Sequence, residues 1–228
     1  MGESEKPLVG GAQTVGLVRV GGTVRRPRSA GSDRAQALLR HLEMVGFPGA
    51  PRALGYDELG REVVTFVEGN VPHVPPYGLS DAQLVSGTEL IRAFHDATTG
   101  SGLRGSQDVV CHGDLGPHNM VFRGDTAVAI IDWDAGLGPG RRAVDVAHAV
   151  WCFADLIESG VPVEEQARRC ALMCDAYPGM TPSVVVQELE TRFRRARARH
   201  GLARRHRAVQ VFDRLLAWSA INGGRLAP

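Results

Sequence analysis

The hydrophobic positions change period more than once along the chain. TVGLVRV and TVRRP are short β-rich runs joined by Gly21 and Gly22, a dipeptide suited to a tight hairpin turn. From Asp33 to Val45 the period lengthens: Ala37, Leu38, Leu42 and Val45 recur at helical spacing, with Ser32 or Asp33 as N-cap and Gly46 ending the run. PRALGYDE and REVVTFVEG, divided by Leu59 and Gly60, read as a second antiparallel pair, and the proline-rich VPHVPPYG reads as a linker.

Beyond the linker, Ser80 to Thr98 predicts a helix with Leu84, Leu90, Ile91, Phe94 and His95 on its inner side. VVCHGDLGPHNMVFRGDTAVAIIDWD follows, with two apolar β-like runs, VVC and AVAIIDWD, read as a hairpin-like element. Helices are predicted near 144–158, 163–176, 182–200 and 205–221, divided by SGVP, YPGMTP and HGLA. The pattern is that of an α+β chain. A small antiparallel β lobe with one helix spans residues 1–69, and a larger, mainly helical lobe spans 70–228.

Composition narrows the class. With 228 residues and 43% hydrophobic content the chain can bury a real core. No run approaches the roughly 20 apolar residues that cross a bilayer, and the start MGESEKPLVGG is charged and Gly/Pro-rich, so the expectation is a cytoplasmic protein without a membrane partner. Cys111, Cys152, Cys170 and Cys174 lack paired C-x-x-C spacing and read as reduced thiols. Cys170 and Cys174, one helical turn apart, fit a buried helix face better than a ligand pair.

A formal net charge of +1 conceals an uneven distribution. TRFRRARARHGLARRHR is dense in arginine, and Lys6 is the only lysine of the chain. Whatever binds phosphate cannot be an internal lysine. Without interleaved stacking aromatics beyond Phe193 or a nucleic-acid motif, the arginine run reads as a solvated helix face rather than a surface for an anionic substrate, RNA or a membrane.

The chemistry concentrates between Cys111 and Asp145. His112, Asp114 and Asn119 lie in a loop after one apolar run, and Asp132 and Asp134 end another. Phosphoryl transfer needs a carboxylate to orient the attacking hydroxyl and oxygen ligands to hold magnesium between the phosphates, and Asp114, Asn119 and Asp132 supply that set.

HGDLGPHN followed by IIDWD resembles the catalytic loop and metal-binding motif of the aminoglycoside phosphotransferases, a group that also includes choline and homoserine kinases. The resemblance implies a bilobal protein kinase-like fold that binds ATP or GTP with Mg²⁺. It makes Asp114 the catalytic base, Asn119 and Asp132 the magnesium ligands, Asp134 an assistant at the metal, and His112 a brace for the loop. Asp145 resembles the buried aspartate that anchors this loop through backbone hydrogen bonds. TFVEG resembles the hinge that holds adenine, through the backbones of Thr65 and Val67.

The small lobe departs from that family. Such kinases carry a lysine on the third strand, paired with a glutamate on the following helix. Here Arg25 or Arg26 takes the lysine's approximate place, and Ala35 or Gln36 takes the glutamate's. Arginine's planar fork differs from a point charge in reach and geometry, so the exchange is not conservative. The glycine loop is abbreviated to Gly10 and Gly11.

Two readings follow. One is a nucleotide-dependent phosphotransferase acting on a hydroxyl of a small molecule or natural product, or of a seryl or threonyl peptide. The other is a catalytically inactive module that binds a nucleotide or partner on the same fold. From Gln187 to the end the acidic residues are Glu188, Glu190 and Asp213, outnumbered by arginines, which disfavours a polycationic acceptor. Asp155, Glu158, Glu164 and Glu165 remain as acids that could line a cationic site.

Overall fold

The computed structural model describes residues 4–8, 16–133, 136–157 and 160–227. Gly10, Gly11, Asp134 and Glu158, singled out above, lie outside the described residues. Strands β1 (Lys6–Pro7), β2 (Val18–Val20), β3 (Thr23–Arg26), β4 (Ala53–Tyr56) and β5 (Glu62–Thr65) form one antiparallel sheet in the order β1-β2-β3-β5-β4. The β2–β3 turn falls on Gly21, whose φ of 56° is left-handed and suits a residue without a side chain. In the β3–β5 register Arg26 lies directly opposite Glu62.

Helix α1 (Ser32–Met44) packs its face of Ala35, Leu38, Leu39 and Leu42, each at most 1% exposed, into the core. Gln36, also buried, brings a polar group to that face. Helix α2 (Asp81–Thr98) starts on a reciprocal capping box in which Ser80 accepts from the Gln83 amide and the Gln83 side chain accepts from the Ser80 amide. Between sheet and α2, the linker is pinned at two places. Asn70 and Phe122 exchange backbone hydrogen bonds of 2.8 Å, and the buried Asp155 carboxylate accepts from the Tyr77 and Gly78 amides. A Cβ at Gly69 would lie 2.4 Å from Val121 Cγ1 and 2.6 Å from the Phe122 carbonyl, so the close approach requires glycine.

The polar segment folds differently from the hairpin its apolar runs suggest. VVC is β6 (Val109–Cys111), but it pairs with β9 (Gly138–Gly140). The second run, β8 (Thr126–Ile130), pairs with β7 (Met120–Arg123), a strand hidden in the sequence because it follows Asn119 without a break. A β7–β8 hairpin nested inside the β6–β9 pair replaces the single hairpin, and the two carry the His112–Asn119 loop and the Ile131–Trp133 segment side by side.

Helices α3 (Arg142–Phe153), α4 (Val163–Ala176), α5 (Pro182–Leu202) and α6 (His206–Leu226) complete the fold close to their predicted spans. Phe94, Phe153 and Phe193 from α2, α3 and α5 are fully buried in one continuous core. All four cysteines are free, and Cys170 and Cys174 lie on the buried face of α4. Among the described residues no helix is long and apolar enough to cross a membrane.

Asp145 on the first turn of α3 fixes the loop after β6. Its carboxylate, 1% exposed, accepts from the His112 amide at 2.7 Å and the Gly113 amide at 2.8 Å. His95 Nε2 lies 3.2 Å away, His95 Nδ1 is 2.8 Å from the hydroxyl of Tyr177, and Arg142 donates to that hydroxyl at 3.1 Å. This chain fixes the tautomer: His95 donates to Asp145 through Nε2 and accepts from Tyr177 through Nδ1.

Burial alone would raise the Asp145 pKa, but the hydrogen bonds from His95 and Gly113 hold it below the ordinary aspartate range. A depressed folded-state pKa contributes stability that is present above the unfolded value, about 3.9, and is lost as pH falls through the folded one. Asp145→Asn, which turns one acceptor into a donor facing donors, is expected to unfold at pH 7 with roughly 3 kcal/mol less stability. Urea melts across pH should find that deficit shrinking below about pH 4.

Candidate active site

Gly113 takes a left-handed φ of 84°, and a Cβ there would sit 2.3 Å from the Gly136 carbonyl oxygen, so the loop passes directly against the turn before β9. His112 braces the loop from the other side: its Nε2 is 2.9 Å from the Ile131 carbonyl and its ring meets Trp133 edge-on at 4.8 Å. It does not face the reactive groups. The Ile131 amide bonds the Asn119 carbonyl at 2.9 Å, tying the two polar segments together just ahead of Asp132.

Asp114 projects from this frame with its side chain 57% exposed. His148 Nε2 on α3 lies 3.1 Å from one carboxylate oxygen, and Asn119 Nδ2 lies 3.1 Å from the other and 2.9 Å from the Asp114 carbonyl. His118 Nε2 is 3.5 Å from the second oxygen. The hydrogen bonds from His118 and His148 hold the Asp114 carboxyl far below the usual range, so it is ionised at any ordinary pH. His148 Nδ1 is buried without a partner, which fits a neutral ring that donates through Nε2.

A cavity of about 370 Å³ opens between the sheet and the β7–β8 hairpin. Val24, Val64, Val67, Val121 and Ile131 form apolar walls, and Arg26, Asn119 and Asp132 bring polar groups to it. Asp132 has a left-handed φ of 63°, and its carboxylate, 45% exposed, accepts from Arg26 Nη1 at 3.0 Å. Both side-chain hydrogen bonds of Asn119 among the described residues run through Nδ2, which leaves its amide oxygen as a hard donor in the cavity that Asp132 also lines. Among the described residues no three His, Cys, Asp or Glu side chains gather as a metal cluster.

The alternation of β3 separates the two candidate arginines. Arg26 faces the cavity. Arg25 is turned to the opposite face, where it lies 3.6 Å from Asp57, so it is not brought to the site.

Glu62, which sequence reasoning passed over, completes the Arg26 arrangement. Its fully buried carboxylate accepts from Arg26 Nε at 2.6 Å and from Gln36 Nε2 at 3.1 Å, while Gln36 Oε1 accepts from the Gly55 amide at 3.0 Å. Arg26 Nη2 also donates to the Trp133 carbonyl at 2.6 Å. The anionic partner expected on the helix is therefore supplied by the neighbouring strand, with Gln36 of α1 bridging. The available signal was one acid in the apolar strand EVVT, opposite an arginine.

Thr65 and Val67 both line the cavity. The Thr65 amide already donates to the Arg52 carbonyl at 3.0 Å, and the Phe66 amide donates to Gly22 at 2.8 Å. Of the three, Val67 is the one whose amide has no such bond among the described residues. Asp155, Glu164 and Glu165 do not form a cationic site. Asp155 is buried against linker amides and Arg169, Glu164 pairs with Arg225, and Glu165 pairs with Arg168 and Arg169.

Residues 88–182 match the model of the phosphotransferase enzyme family. The trifolitoxin immunity protein of Rhizobium leguminosarum bv. trifolii is 34% identical over a 193-residue alignment that covers 75% of this chain and 72% of that protein. Among solved structures, a choline/ethanolamine kinase family protein from Mesorhizobium loti superposes with a TM-score of 0.59 at 17% identity, over 98% of this chain and 86% of its own. The gentamicin complex of APH(2")-IIa gives 0.63 at 12% identity, over 95% and 91%. ADP-bound aminoglycoside phosphotransferase APH(2'')-Ib gives 0.63 at 13%, over 100% and 95%. With the fold, the family model and a relative of this identity in agreement, the chain belongs to the phosphotransferase enzyme family and is a phosphotransferase with an alcohol group as acceptor.

Proposed function

We propose that the protein transfers the terminal phosphoryl group of ATP or GTP, with magnesium, to a hydroxyl of a small molecule or natural product. The observation that carries this reading is the convergence of Arg26, Asn119 and Asp132 on one apolar-walled cavity, with Asp114 hydrogen-bonded to Asn119 at its edge. The apolar walls suit a nucleobase, and the Val67 backbone is the hinge contact. Structures of similar fold that hold ADP with spectinomycin, or GDP, support a nucleotide and a small acceptor. The immunity named for the Rhizobium relative is in keeping with modification of a toxic natural product.

Asn119 and Asp132 offer hard oxygen donors of the kind magnesium takes when phosphates fill the rest of its shell. When bound, the metal ion neutralises charge on the phosphates. Asp114, kept ionised by its histidine donors, orients the acceptor hydroxyl and takes its proton. The acceptor oxygen bonds to the terminal phosphorus as the bond from that phosphorus to the bridging oxygen breaks, and the nucleoside diphosphate leaves. Arg26 lends its guanidinium to the phosphates. Glu62 keeps that fork aimed, because a buried carboxylate on Nε holds the two Nη groups on the cavity side, where they bond Asp132 and the Trp133 carbonyl.

Asp114→Ala is expected to lose at least about 100-fold in turnover while binding nucleotide as wild type does, measured by nucleoside diphosphate release beside calorimetric titration. In the same titrations Asp132→Ala should lose the magnesium-dependent part of nucleotide affinity. Two variants indistinguishable from wild type would sink the site assignment.

Glu62→Gln is expected to weaken triphosphate binding by roughly tenfold and leave adenosine binding unchanged, since only the phosphates meet Arg26. Equal losses for nucleoside and nucleotide would mean that Glu62 only maintains the fold.

A further inference from the structure

One arrangement of three side chains occurs twice in the structure. In the first, Asp145 accepts from His95 Nε2 and His95 Nδ1 meets the Tyr177 hydroxyl. In the second, His118 Nε2 lies 3.5 Å from Asp114 Oδ2, and His118 Nδ1 is 3.0 Å from the Tyr77 hydroxyl. The first is sealed from solvent and holds a loop. The second stands at the edge of the cavity, which His118 lines with its side chain 31% exposed, and it ends on the carboxylate assigned to the acceptor hydroxyl.

Local structure aims the His118 ring from two sides. The residue lies in the short helical turn Pro117–Asn119, and its ring folds back over Gly116, where a Cβ would lie 2.3 Å from His118 Cε1. Any side chain at position 116 would displace it. Tyr77 approaches from the linker, and its ring stacks on that of His118 with centroids 6.2 Å apart and planes 27° from parallel. The Tyr77 amide donates to the buried Asp155 carboxylate at 2.7 Å, so the backbone that carries the hydroxyl is itself fixed. Burial pushes the Tyr77 phenol up to about 12, which keeps it a donor near neutral pH.

The hydrogen bonds then have one consistent direction. A carboxylate only accepts, so the His118 nitrogen facing Asp114 carries the hydrogen, and Nδ1 of the neutral ring accepts from Tyr77. An ionised carboxylate offers about four lone-pair sites. At Asp114, His148 Nε2 meets Oδ1 at 3.1 Å, Asn119 Nδ2 meets Oδ2 at 3.1 Å, and His118 faces Oδ2 as well. The site left over among the described residues is on Oδ1. The His118 contact is long, as hydrogen bonds around a catalytic group often are before substrate binds.

We propose that His118, aimed by Tyr77, is a positioning residue for Asp114: it fills the second carboxylate oxygen, so that the acceptor hydroxyl meets the oxygen bonded by His148. Asp114 is 57% exposed, so its donors rather than packed neighbours set the plane of its carboxylate. Misplacing a reacting group by an ångström can cost about 100-fold in rate. The role rests on the kinase reading and adds Tyr77 and His118 to its machinery.

Tyr77 is not among the residues lining the cavity, so Tyr77→Phe removes one hydroxyl and leaves the nucleotide's walls unchanged. The test supplies ATP or GTP with magnesium and uses water as the phosphoryl acceptor. The water oxygen bonds to the terminal phosphorus, its proton passes to Asp114, and the nucleoside diphosphate leaves. Tyr77→Phe is expected to slow diphosphate release by about tenfold while calorimetric nucleotide affinity stays as in wild type. His118→Ala should lose at least as much, and His118→Gln, whose amide can donate where Nε2 stood, should regain part. In the His118→Ala background Tyr77→Phe should add no further loss. Turnover unchanged in Tyr77→Phe, or losses that simply add, would overturn the proposal. Nitrogen NMR of the His118 ring near neutral pH reads the same chain without turnover. The hydrogen is expected on Nε2, with the Nδ1 resonance moving in Tyr77→Phe; a hydrogen on Nδ1 in wild type, or an Nδ1 resonance indifferent to Tyr77→Phe, would also overturn it. Diphosphate release no faster in wild type than in Asp114→Ala, with the ring spectrum as expected, would instead remove the kinase reading beneath it.

Discussion

A carboxylate with almost no access to water holds the site together. The loop from His112 to Asn119 has two successive amides turned inward, where no strand can pair with them, and an unpaired buried amide costs about as much as a lost hydrogen bond. Asp145 takes both, and His95 completes its shell. With those amides fixed, Gly113 can lie against Gly136 at a distance no side chain would tolerate. The His112 ring can then reach the Ile131 carbonyl, and the Ile131 amide can reach Asn119. The two polar segments are registered by backbone atoms. Asp114 and Asp132 owe their relative positions to that registration more than to any contact between them.

The small lobe meets the large one through a second buried carboxylate. Burying Glu62 and Arg26 together is expensive unless every polar end is satisfied. Glu62 is satisfied by Arg26 and Gln36, and Arg26 by Glu62, Asp132 and the Trp133 carbonyl. Arg26 therefore joins the sheet to the Ile131–Trp133 segment. The partnership lies between neighbouring strands in fixed register, so the direction of the guanidinium follows from the sheet. Helix α1 contributes only a neutral amide, Gln36, which braces Glu62 and caps the Gly55 amide.

Helices and most strands were legible because their signals are local. The helical periods of α1 and α2 and the Gly21 turn each act within a few residues of chain. The loop motif was legible as well, and it brought His112, Asp114, Asn119 and Asp132 into one region. What escaped was non-local. β7 was invisible because Met120–Arg123 follows a functional residue without any turn, and the partner of VVC lies beyond the second run. Arg25 and Arg26 could not be told apart until the facing of β3 was known. Glu62 could be named only from the strand opposite.

Arginine serves several purposes in this chain, and its setting separates them. Arg141, Arg168, Arg169 and Arg225 neutralise acids of the helical lobe. Arg26 is held by buried oxygens at the cavity. The exposed run on α5 faces water, with Arg194 and Arg197 in exposed pairs of the kind worth little to stability. Arg192 belongs to none of these sets. It is half-buried on the helix that packs on α3 through Phe193 and Trp151. The charges fixed at the site itself are Asp114, bonded by His148 and Asn119, and the Arg26–Asp132 pair.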